Sequence, residues 1–177
     1  MNIELKNIKN QNILFFDIEF TDNSIVQIAG LIFSKEKENI FQLKESFNYY
    51  IKQNKMLDKY FIIYTNITDD FLMDNGCDFL FVKKNLEQIL SKYNNDILFV
   101  SHGISSDFNI LRKNNIELNG DKFCTYKKAK QILRKDNKLS LQDVSASCGY
   151  FLYNAHNAYA DVVGTLFSFC YLNRMEE

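Results

Sequence analysis

The sequence predicts a single α/β domain with its strands grouped early and its helices late. Three observations predict it. Before residue 51, apolar runs of strand length alternate with short polar turns. From Phe79 onward, apolar residues recur mainly at helical spacing. Between helical stretches, the compact run Ile97-Leu98-Phe99-Val100 returns the chain to a buried strand. A chain of 177 residues can build one domain with a substantial core, and two full domains are not expected.

Residues 1–11 are polar and read as a lead-in. Asn12 to Ile18 reads as a buried strand. Asp22-Asn23-Ser24 is turn chemistry, and Ile25 to Phe33 resumes as strand; so short a turn favours an antiparallel hairpin over a helical crossover. Lys35 to Asn39 makes a second, solvated turn, and Ile40 to Ile51 supplies a third strand, completing a meander. Thr68 is placed to cap a short helix at Asp69-Asp70-Phe71-Leu72. Phe79, Val82, Leu86, Ile89 and Leu90 predict an amphipathic helix over 79–93, ended by Asn94-Asn95. Ile97 to Val100 leads straight into Ser101-His102-Gly103. Ser105 or Ser106 is expected to cap a helix running to about Lys113, closed by Asn114-Asn115. Asp121 to Cys124 reads as a short fifth strand and 125–135 as a helix. Ser140 caps another at 141–148, stopping before Gly149, and Ala158 to about Arg174 is the last and most apolar.

An apolar content of 46% with 24% charged residues is ordinary for a globular protein. The net charge of −1 excludes a generically basic nucleic-acid coat, so any such binding needs local charge or bound metal. Cysteines 77, 124, 148 and 170 form no C-x-x-C pair, which argues for free thiols and against structural zinc. Met1 to Lys6 lacks a signal-peptide pattern, and no apolar run is long enough to span a bilayer; a cytoplasmic protein with no membrane partner is the expectation.

The chemistry centres on Ile13-Leu14-Phe15-Phe16-Asp17-Ile18-Glu19-Phe20-Thr21, an apolar run ending in two carboxylates. In a strand, residues i and i+2 share a face, so Asp17 and Glu19 project side by side and repel unless a positive charge lies between them. A lone D-x-E reads first as a strand entering a polar loop. Asp107 and Asp161 alter the balance, because each lies within or beside apolar helical sequence. Unpaired buried carboxylates cost on the order of several kcal/mol. Few Lys or Arg residues flank these acids, and a shared hard cation would relieve all of them. Oxygen ligation of this kind suits Mg²⁺ or Mn²⁺ rather than zinc. Two such ions ~3.5–4 Å apart activate water and stabilise the leaving oxygen in phosphodiester hydrolysis. The base for that reaction is sought among two histidines, His102 and His156, either of which serves by residue type. Residues i and i+5 lie about 140° apart on a helix, so His156 is expected in the loop before the helix that carries Asp161.

Taken together, these stretches resemble the DEDDh 3′→5′ exonuclease superfamily, the group of ribonuclease T, oligoribonuclease and bacterial polymerase proofreading subunits. Asp17-Ile18-Glu19-Phe20-Thr21 matches D-x-E-x-T; His102-Gly103-Ile104-Ser105-Ser106-Asp107-Phe108-Asn109-Ile110-Leu111 matches H-N-x-x-F-D-x-x-F-L; His156-Asn157-Ala158-Tyr159-Ala160-Asp161 matches H-x-A-x-x-D. The similarity spans about residues 12–172. It implies one exonuclease domain over 1–177, with an RNase H-like mixed five-stranded sheet and helices on both faces. It implies that Asp17, Glu19, Asp107 and Asp161 hold two divalent ions (Mg²⁺ or Mn²⁺), with His156 as general base. It places the Ile18 backbone, Phe20, Thr21 and His102 near the terminal nucleotide. The implied partner is the 3′ end of a single strand, DNA or short RNA, cut to 5′-mononucleotides; a homodimer, or association with replication, repair or RNA-processing machinery, accompanies some relatives. Asn157 stands where a sister group has Tyr, which assigns the chain to the histidine type. Gly103 replaces the usual Asn, Ser106 the usual Phe and Gln27 the usual acid, and the loop after Thr21 is short.

Two other readings compete: a nucleic-acid-binding or polymerase-associated module with a vestigial site, and a small-molecule phosphoesterase. Lys122, Lys127, Lys128, Lys130, Arg134, Lys135 and Lys138 form the densest basic segment, either a phosphate track or the solvated face of a helix. Tyr49, Tyr50 and Tyr153 are candidates for base stacking, although core packing is the expectation for most aromatics.

Overall fold

A computed structural model describes residues 1–93, 96–133 and 138–175. The elements run β1 (Asn2–Glu4), β2 (Asn12–Thr21), β3 (Ser24–Lys37), β4 (Ile40–Tyr50), α1 (Lys59–Thr65), α2 (Asp69–Asn75), α3 (Phe79–Ser91), β5 (Ile97–Ser101), α4 (Ile104–Lys113), β6 (Asp121–Cys124), α5 (Thr125–Leu133), α6 (Leu141–Ser147) and α7 (Ala158–Arg174). The sheet has the order β1-β4-β3-β2-β5-β6. Its β1-β4-β3-β2 half is antiparallel, whereas β5 pairs parallel with both β2 and β6.

Asp22 and Asn23 both take positive φ, 47° and 68°, giving the β2–β3 hairpin a two-residue turn whose twist matches its strands. The sheet has six strands rather than the five expected. Asn2, Ile3 and Glu4 pair with Gln42, Phe41 and Ile40, so part of the presumed lead-in extends the meander. Three residues are too few for a periodicity signal.

Two cores lie on opposite faces of the sheet. Leu14, Phe16 and Ile18 pack with Val82, Leu86, Ile110 and Leu111 from α3 and α4. Ile13 and Phe15 face the other way, onto Val162, Leu166 and Phe169 of α7. The rings of Phe15 and Phe169 meet edge-on at 5.4 Å. Helices therefore cover both faces, and the alternation of β2 sends Asp17 and Glu19 to the α7 side.

Most expected boundaries hold to within one or two residues, but β2 runs on to Thr21 and β3 to Lys37, which shortens the second turn to Glu38-Asn39; three further features differ. Helix α1 was not foreseen: its Tyr60, Ile63 and Tyr64 are exposed, so the apolar pattern does not mark a buried face. Asp58 starts it by accepting the Tyr60 and Phe61 amides. Helix α4 begins at Ile104 on Gly103, with no side-chain cap, so neither Ser105 nor Ser106 has that role. Helix α3 closes at Ser91, and Asn94 and Asn95, like Arg134 and Lys135, lie outside the described residues. Ser140 does cap α6, in a reciprocal box with Asp143. The four cysteines are free thiols. No helix among the described residues is long and apolar enough to cross a membrane.

Candidate active site

Three elements bring the predicted acids together. Strand β2 contributes Asp17 and Glu19, α4 contributes Asp107 in its first turn, and α7 contributes Asp161 in its own. Asp107 and Asp161 are buried at 6% and 9% exposure, and neither has a Lys or Arg counter-ion among the salt bridges of the described residues. Glu19, His156 and Asp161 form the tightest group, with one ligand atom from each within 4.8 Å of the others. Asp17 and Asp107 lie outside that group but close enough for their charges to be felt across it.

The proton affinities record this crowding. Burial, followed by repulsion from Asp107, Asp161 and Glu19, holds the Asp17 carboxyl well above the ordinary range. Burial beside Asp161 and Asp107 raises Glu19 to about 7. Burial raises Asp107 to about 6, against the opposing hydrogen bond from Ser101. Burial also raises Asp161 to about 7, against the His156 amide. Four acids lifted together mark a site short of positive charge.

Asp161 gives the most specific indication. Its Oδ2 accepts the His156 backbone N–H at 3.2 Å, while its buried Oδ1 has no hydrogen-bond partner. Such an oxygen costs about 1–3 kcal/mol or more when charged, unless a cation or a proton meets it. The carboxylate oxygens gathered here suit a hard divalent cation.

His156 lies in the loop just before α7, as its spacing from Asp161 requires, with a left-handed φ of 63°. The Tyr64 ring of α1 approaches its imidazole edge-on at 5.8 Å. His102 is differently placed. Its Nε2 lies 3.2 Å from the Leu139 carbonyl, which can only accept, so Nε2 carries the proton. Its Nδ1 lies 3.0 Å from the Thr125 hydroxyl. Both nitrogens therefore join β5 to α5 and to the entry of α6, and burial pushes its pKa down. The ring is half-buried, with both of its nitrogens engaged inside the protein.

Ile18 is buried, and a register shift between Glu19 and Phe20 precedes the two following residues. Phe20 packs partly against the α3/α4 core, and Thr21 lines a cleft of about 370 Å³ that also includes Lys52 and Lys55. Ser101 was missed from the sequence; its hydroxyl donates to Asp107 Oδ2 at 2.5 Å. Tyr64 was missed with the helix that carries it. At Gly103 an added Cβ would meet nothing within 4 Å, and Ser106 is exposed, so both departures from the motif lie at an open surface. Of the basic residues, Lys122 lies over the Phe108 ring and Lys130 over Tyr126. Tyr49 stacks on Phe47 and Tyr50 packs on Phe71, while Tyr153 is exposed.

No protein-family model matches the chain, and no curated protein matches it. Solved structures do. E. coli exonuclease I, in complex with a dT13 oligonucleotide, superposes with a TM-score of 0.74 at 18% identity over 94% of this chain. The fold is that of exonuclease I. Cell-death related nuclease 4 (CRN-4) matches with a TM-score of 0.69 at 19% identity over 94% of the chain. Exonuclease X, bound to 5′ overhanging duplex DNA, matches with a TM-score of 0.64 at 16% identity over 92%. The chain spans 42% of exonuclease I, 64% of CRN-4 and 91% of exonuclease X. The fold implied by the DEDDh resemblance is thus the fold found.

Proposed function

We propose that this chain is a metal-dependent 3′→5′ exonuclease acting on single-stranded DNA or short RNA, its 177 residues forming one domain with a core of about residues 12–172. The observation that carries the reading is Asp161, within ligand reach of Glu19 and His156 and with a buried, unpartnered Oδ1, beside two further acids. The solved relatives named above, two of them with bound DNA, support nucleic acid as the substrate class.

In this reading Asp17, Glu19, Asp107 and Asp161 hold two divalent ions. Bound there, such ions lower the pKa of the attacking water and offset the charge on the leaving oxygen. Ser101 fixes the rotamer of Asp107 through its hydroxyl. Asp161 uses one oxygen to hold the His156 backbone, so ligand and base are fixed relative to each other. The exposed His156 imidazole takes the water proton at a ring nitrogen and passes it to solvent. Phe20, Thr21 and the Ile18 backbone, next to the two acids along β2, would hold the 3′-terminal nucleotide, as the resemblance implies. His102 would join them through its ring edge, because its ring nitrogens already have protein partners.

The test is direct. 5′-labelled oligonucleotides are incubated with Mg²⁺ or Mn²⁺ and wild type, Asp17→Ala or His156→Ala protein. A stepwise ladder from wild type alone supports the proposal; no ladder, or one unchanged in both variants, refutes it. Cleavage of mononucleotide esters with oligonucleotides left intact would instead indicate a small-molecule phosphoesterase. Matched DNA and RNA oligonucleotides of several lengths then define the substrate.

A further inference from the structure

We infer that Gln27 is a positioning residue for the candidate metal centre: its buried amide ties the first turn of α7 to the sheet and thereby sets where Asp161 and His156 stand relative to Asp17 and Glu19. The inference rests on the metal-centre reading above.

Gln27 is 0% exposed in the middle of an apolar strand. An amide buried there is costly unless both of its ends find partners. Both do. Oε1 accepts the backbone N–H of Ala158 at 3.0 Å, and Nε2 donates to Asn48 Oδ1 of β4 at 2.8 Å. A backbone N–H only donates, which fixes the orientation of the amide. Gln27 is also the cross-strand partner of Glu19, so the two side chains share the α7 face of the sheet.

Ala158 is the first residue of α7, where backbone N–H groups have no intrahelical acceptor. Asn157 takes the amide of Ala160 at 3.3 Å, and Gln27 takes that of Ala158. The Asn157 side-chain amide in turn donates to the Tyr50 hydroxyl at 3.1 Å, and the Tyr50 ring packs on Phe71 at 4.8 Å. Strands β3 and β4 thus hold the turn at two adjacent residues. His156 precedes them directly, and Asp161 follows within the same turn, joined to His156 by its own hydrogen bond. The turn cannot slide along the sheet without breaking the Gln27 bond, and any slide carries Asp161 Oδ1 and the imidazole together. Metal coordination tolerates displacements of only about 0.2 Å. Release of the turn should therefore weaken ion binding while the fold survives.

Two substitutions separate the possibilities. Gln27→Met keeps the length of the side chain and removes both hydrogen bonds. Gln27→Glu keeps an acceptor for Ala158, and Asn48 can turn its amide to donate to the second oxygen. Mn²⁺ affinity is measured by calorimetry, protection of the Ala158 amide by hydrogen exchange without metal, and kcat and KM with an oligonucleotide. Expected for Gln27→Met is a roughly 10–100-fold loss of Mn²⁺ affinity and a fall in kcat of similar size. Its Ala158 protection is lost while KM stays near wild type, whereas Gln27→Glu keeps the Ala158 protection and loses less Mn²⁺ affinity than Gln27→Met. If Gln27→Met does not fold, Gln27→Asn retracts the amide by about 1.5 Å and should show the same losses. Wild-type Mn²⁺ affinity in Gln27→Met, or in Gln27→Asn where that variant replaces it, overturns the inference. So does a loss in Gln27→Glu equal to that in Gln27→Met. If wild type binds Mn²⁺ but digests no oligonucleotide, the exonuclease reading fails while the Mn²⁺ comparison still decides the role of Gln27. A wild type that binds no Mn²⁺ overturns both.

Discussion

Replacing Glu19 with glutamine isolates the electrostatic load that the site imposes on the metal-free protein. Burial and the neighbouring Asp161 and Asp107 charges raise the Glu19 carboxyl from 4.5 to about 7. At about 1.4 kcal/mol per tenfold change in proton affinity, that difference corresponds to about 3 kcal/mol. The sign follows from which state holds the proton. Between pH 4.5 and 7 the folded protein keeps it and the unfolded chain releases it, so rising pH favours unfolding over that window. Glutamine does not titrate, and its presence also removes one of the charges acting on Asp17. In EDTA, Glu19→Gln should match wild type near pH 4.5 and exceed it by about 3 kcal/mol near pH 8, measured by urea denaturation. Mn²⁺ should narrow or reverse that order, because it stabilises the folded state according to its affinity and wild type retains the better ligand set. A difference that is constant from pH 4.5 to 8, or that grows toward acid, refutes the reasoning.

Other outcomes follow from single contacts. His156→Ala should lower kcat by about 10²–10⁴-fold with KM little changed; a kcat equal to wild type contradicts the assignment. Ser101→Ala removes the hydrogen bond that opposes the upward shift of Asp107, so its carboxyl should rise beyond about 6. Calorimetric Mn²⁺ titration should then show a larger deficit at pH 6 than at pH 8, and equal deficits would exclude the effect. Phe169→Ala empties the space between Phe15 and Phe123 and should cost about 3–5 kcal/mol of stability by urea denaturation.

The legibility of the chain divides along physical lines. Regular apolar pattern marked the β2–β3–β4 meander, α3, α4 and α7, although β2 and β3 run three and four residues past their expected ends, where polar residues continue the ladder. Short or atypical elements escaped. β1 has three residues, and α1 turns Tyr60, Ile63 and Tyr64 outward, so neither carries the alternation that marks a core-facing segment. The acids were legible for a local reason: a carboxylate inside an apolar run is conspicuous whatever the rest of the fold does. The partners of His102 were not, since Thr125 and Leu139 are distant in sequence and nothing in the chain pairs them with it.

The sequence by itself therefore determined the kind of chemistry: which acids are candidates, that Asp17 and Glu19 share a face, and that His156 must precede its helix. Tertiary structure alone decided which oxygen lacks a partner, which histidine is exposed at the site, and what holds α7 in place. Those are properties of contacts between residues far apart in the chain, such as Gln27 with Ala158 and Ser101 with Thr125. Local pattern sets where a side chain points along its own strand or helix. Packing between elements sets what it meets there, and that is where the proton affinities and the ligand geometry of this site arise.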